Sequence, residues 1–83
     1  MEMVFKRIML HRAIMQDAVR QVVCDGVSPE AAVAGLGIPQ EEQVAFAECL
    51  RKELMHLETF NCVRFRLEAP AVERWIEAGR PGL

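Results

Sequence analysis

The sequence predicts a mainly α-helical fold: a small helical domain with a helix-turn-helix-like hairpin, one C-terminal strand and a short final helix. Three observations predict it. Residues 3–24 contain neither glycine nor proline and repeat apolar side chains at helical spacing. Residues 25–43, DGVSPEAAVAGLGIPQEEQ, carry the start and stop punctuation of two further helices. Only one stretch, FNCVRFRL, alternates apolar and polar residues with the period of a strand. The whole chain, 1–83, reads as one domain with no internal repeat.

In the first helix, Phe5, Ile8, Met15, Val19 and Val22 follow one stripe, with Leu10, Ile14 and Ala18 on its neighbour. So wide an apolar surface suits packing against two partners. An extended start over residues 1–5 stays open as an alternative. Asp25-Gly26 ends the helix, Gly26 supplying the left-handed conformation. Ser28 is the expected N-cap of a two-turn helix, with Pro29 at its first position and Glu30 favouring its positive end. Leu36 and Ile38 are expected to be buried in the turn, with Gly37 easing the backbone. Pro39 then starts a helix running to about residue 57, so the hairpin spans 29–57. Its expected inward stripe is Val44, Ala47, Leu50, Leu54 and Leu57, with Phe46 and Cys49 beside it.

The expected strand is 61–67, with Val63, Phe65 and Leu67 on one side and Cys62, Arg64 and Arg66 on the other. A lone strand leaves its backbone groups unpaired. The expected remedy is the same strand from a second copy, which makes Val63, Phe65, Leu67 and Trp75 candidate dimer-interface residues; the runner-up partner is the N-terminus. Pro70 opens a final helix, 70–78, burying Val72, Trp75 and Ile76, and the last residues are expected to fray.

Eighty-three residues lie near the lower limit for independent folding, yet 52% of them are hydrophobic. That excess also points to a homodimer. Net charge is −2, distributed as +2 over residues 1–24, −5 over 25–58 and +1 over 59–83. An acidic middle disfavours phosphate neutralisation there. Lys6, Arg7 and Arg12 interrupt the only long apolar region, against a membrane span, and no secretory signal pattern is present. Cys24, Cys49 and Cys62 lack C-x-x-C spacing; reduced thiols in a cytoplasmic protein are the expectation, with no metal or other cofactor.

No catalytic constellation stands out, so no enzyme is expected. The only serine is explained by capping, His11 and His56 are far apart, and GLG lacks the spacing and lysine of a phosphate loop. The adjacent Glu41 and Glu42 read as favourable charges at a helix start. The small Ala31, Ala32 and Ala34 allow the close helix crossing of a helix-turn-helix.

The residues AVRQVVCDGVSPEAAVAGLGIP (18–39), a following helix, NCVRFRL and the closing VERWIEAG together resemble the KorA/TrfB-type repressors of plasmids and phages. That resemblance covers about 60 residues through short motifs. It implies a dimeric transcriptional repressor whose third helix enters the major groove of operator DNA. Gln40, Glu41 and Gln43 would then touch base edges, and Arg12, Arg64 and Arg66 would touch phosphate. Two departures stand against it: Gln43 occupies the position expected to anchor that helix, and Glu41 and Glu42 face where phosphates would lie. The alternative is a protein-interaction module or inhibitor that binds a basic protein surface through Glu41, Glu42, Glu48 and Glu53.

Overall fold

The computed structural model describes residues 2–83, with side chains from Arg12 onward. Phe5, Ile8, Leu10 and His11 therefore lie outside the described side chains. Four α-helices run in order: α1 (Glu2–Asp25), α2 (Pro29–Ala34), α3 (Gln40–Met55) and α4 (Ala69–Glu77). A 3-10 turn, Cys62–Phe65, sits between α3 and α4. The long helix touches each of the other four elements, so it is the member around which the core assembles.

Local chemistry explains the helix ends. Gly26 adopts φ +71° and stops α1. Ser28 caps α2, its Oγ accepting the Ala31 N–H at 3.2 Å, while Pro29 fills the first position and is buried. Leu36 N–H reaches Val33 carbonyl at 3.3 Å, and Gly37 at φ +71° turns the chain towards α3. Ala18, Val19 and Val22 of α1, Ala32 and Val33 of α2, and Ile38 of the turn close one side of the core. Leu50, Leu54 and Leu57 are fully buried opposite them.

The expected stripe on α3 needs one correction: Val44 is 72% exposed, and Cys49 is exposed too. The inner row starts instead at Gln43, followed by Phe46, Ala47, Leu50 and Leu54 at helical spacing. Gln43 is held there because its Nε2 donates to the Ile38 carbonyl at 3.0 Å, satisfying a turn acceptor. Val44, one residue and about 100° further round, must then face outward.

The expected strand at 61–67 is not seen, and no strand occurs among the described residues. The side chain of Asn61 reverses the chain: its Oδ1 accepts Glu58 N–H at 2.8 Å, and its Nδ2 donates to His56 carbonyl at 2.9 Å. Backbone bonds then close locally, Arg64 N–H to Asn61, Arg66 N–H to Val63 and Leu67 N–H to Cys62. Burial follows a period of three, with Cys62 and Phe65 inside and Val63 77% exposed. Arg66 ends the turn in the left-handed region at φ 57°. With its own groups paired, the segment has no backbone need of a second copy, and the shared-ribbon basis for a dimer falls away.

The C-terminal residues, which the sequence expects to fray, make side-chain contacts with the core. Arg80 Nη1 donates to the carbonyls of Leu54 and Leu57 at 2.9 and 2.8 Å. Its Nη2 meets Glu58 Oε1 at 2.7 Å, and the guanidinium lies 5.5 Å from the centre of the Trp75 ring. Trp75 Nε1 donates to the Pro81 carbonyl at 3.1 Å. The tail thereby caps α3 and packs on Trp75.

Candidate functional site

The surface of α3 divides by helical geometry. Glu41, Ala45, Glu48, Lys52 and Met55 recur every three or four residues and are all exposed, with Val44 along one edge. This is the outer stripe of the hairpin's second helix. Gln40 and Glu42 are exposed in the same first turn, where carboxylates favour the positive end of the helix. Gln43 is not on this stripe: it is half-buried and bonded to Ile38. Of the three residues assigned to base edges, only Gln40 and Glu41 face solvent.

Between α2 and α3 lies an open groove of about 330 Å³, lined by Val33, Val44 and Ala47 with Gln43, Glu30, Glu48 and Arg51. Arg51 forms an ion pair with Glu30 across its mouth. That pair fastens α2 to α3 and leaves Glu48 as the carboxylate beside Val44. Glu48 and Lys52 keep the favourable four-residue spacing along the stripe.

The other candidate residues separate. Glu53 is turned away from Glu41 and Glu48, and its Oε2 lies 3.9 Å from Arg64 Nη2. Arg64 and Arg12 share a second hollow of about 440 Å³, walled by Met15, Gln16, Glu53 and Phe65. Arg66 is exposed at the end of the 3-10 turn and does not line that hollow. Phe65, Leu67 and Trp75, assigned to a dimer interface, are buried within a single chain, and Val63 alone of that set is exposed.

Among the described residues no group of three or more His, Cys, Asp or Glu side chains is placed to hold a metal ion. Cys62 is buried, with its Sγ 3.2 Å from the Thr59 carbonyl, and Cys24 and Cys49 are exposed thiols. No helix among the described residues is long and apolar enough to cross a membrane.

Sequence reasoning missed Arg80, Asn61 and the inward role of Gln43. A Gly-Arg-Pro-Gly tail carries the local signal of a loose end, and Arg80's partners lie 22 to 26 residues earlier. Asn61 did have a readable signal, since asparagine readily bonds nearby backbone in turns.

The architecture defines a class, a small four-helix domain built on a long first helix and a short-turn hairpin. No family model, curated protein or solved structure matches the chain.

Proposed function

We propose that the chain is a protein-interaction module, and that the outer stripe of α3 docks on a basic partner surface. The observation that carries this reading is the make-up of the stripe. Glu41 and Glu48 stand exposed in line, beside Val44 at 72% and Met55 at 60% exposure. The nearest guanidinium, Arg51, is engaged with Glu30. Phosphate recognition draws its affinity from basic side chains, so the two exposed carboxylates at the start of α3, Glu41 and Glu42, oppose it. The same carboxylates steer a basic protein surface towards the helix. Covering Val44 would add about 1.5 kcal/mol of apolar burial once such a partner is seated.

Immobilised protein should retain a basic partner, and Glu41→Lys plus Glu48→Lys should abolish retention while the helical circular dichroism stays unchanged. Retention undiminished in that variant would exclude the outer stripe as the contact.

A second reading, a helix-turn-helix regulator of transcription, is favoured by the hairpin itself. Gly37 makes the left-handed turn, and Gln40 and Glu41 project from the start of α3. That reading expects DNA upstream of its own coding region to be bound at low salt, with steep loss as salt rises. Arg64→Ala plus Arg66→Ala should weaken it. Absence of such binding at low salt would remove the regulator reading.

A further inference from the structure

The hollow holding Arg12 and Arg64 lies between α1, α3 and the 3-10 turn, away from the outer stripe. Its volume of about 440 Å³ falls within the usual range of small-molecule sites. Arg12 of α1 and Arg64 of the 3-10 turn line it from different elements, and Met15 and Phe65 supply apolar wall. Arg64 is held in place twice. Gln16 Nε2 of α1 donates to its carbonyl at 2.8 Å, and its guanidinium carbon lies 5.5 Å from the centre of the Phe65 ring. Phe65 is itself buried, while the Arg64 side chain stays 64% exposed and open to a ligand. Arg12 has no ion-pair partner among the described residues. Among the described residues the only carboxylate lining the hollow is Glu53, and its 3.9 Å separation from Arg64 is the outer limit of an ion pair.

We propose that this hollow binds the phosphoryl group of a small phosphorylated ligand, bridging Arg12 and Arg64. Paired guanidiniums match the geometry and double charge of a phosphoryl group better than those of a single carboxylate. Met15 and Phe65 would flank the apolar part of the same ligand. Glu53 opposes the anion and so sets its affinity low. The inference does not depend on the outer stripe of α3 or on its partner.

Inorganic pyrophosphate titrated into the full chain, followed by amide chemical shifts and calorimetry, tests it. Shifts should centre on Arg12, Gln16 and Arg64, with a dissociation constant on the order of 1 mM. Arg12→Gln plus Arg64→Gln should weaken binding by about tenfold or more, since two charge-assisted contacts disappear. Glu53→Gln should tighten it, and Arg66→Gln should leave it unchanged. Shifts scattered over all basic residues, or equal or weaker binding by Glu53→Gln, would overturn the proposal. So would retention of a short DNA duplex through these two arginines with no response to pyrophosphate, which would make the ligand a nucleic-acid backbone.

Discussion

The guanidinium of Arg80 does at the end of α3 what water does at most helix C-termini. The carbonyl of Leu54 in the last turn, that of Leu57 just past the helix and one carboxylate accept from it, and its side chain is only 22% exposed. Arg80→Ala should therefore lower stability by about 2 kcal/mol, the range for a charge-assisted bond whose loss leaves acceptors unpaired. A shift in the urea midpoint measures this, and Arg80→Lys should restore only part of it, because an ammonium cannot serve all three acceptors with one fixed fork. At this scale the sequence was legible where partners are close. Ser28 caps α2 as expected, three residues from the N–H that it accepts. It was least legible at Gln43 and Val44, because hydrophobicity ranks valine as the inner residue. An acceptor left open by the turn draws the glutamine inward instead.

Among the elements, the α2–α3 hairpin depends on a backbone conformation that few residues tolerate. Gly37 sits at φ +71°, and nothing lies within 4 Å of where its Cβ would be. Gly37→Ala should thus cost only the left-handed backbone term, about 1–2 kcal/mol, with Gly37→Asn costing less. Thermal unfolding of the two variants would show the difference; equal losses would mean that side-chain crowding, not φ, is decisive. The 61–67 segment teaches the opposite lesson. Its alternation is real, but seven residues are too few to separate a period of two from a period of three. The two bonds of Asn61 and the burial of Cys62 beside Phe65 decide in favour of the 3-10 turn.

Across the whole molecule, the tail joins elements that are distant in sequence. Gly82 lies against Pro29 and Val22, where an added Cβ would meet Pro29 at 3.3 Å and Val22 at 3.4 Å, and Arg80 links α4's end to α3's end. Removing residues 79–83 should destabilise the domain by about 3 kcal/mol, more than Arg80→Ala, because Trp75 Nε1 also loses its acceptor. Calorimetry of the shortened chain checks this, and an unchanged midpoint would mean that the tail only rests on the core. The sequence by itself determined the helical class, the long first helix, the capped hairpin and the acidic face of α3. Each of these rests on periodicity, capping or charge within a few neighbouring residues. Only the tertiary structure decided that 61–67 coils, that Gln43 displaces Val44, that Arg80 caps α3 and that Arg12 and Arg64 line one hollow. Arg80 reaches carbonyls more than twenty residues earlier, which no local pattern encodes, whereas Asn61 and Gln43 bond partners within five residues and there override the apolar periodicity.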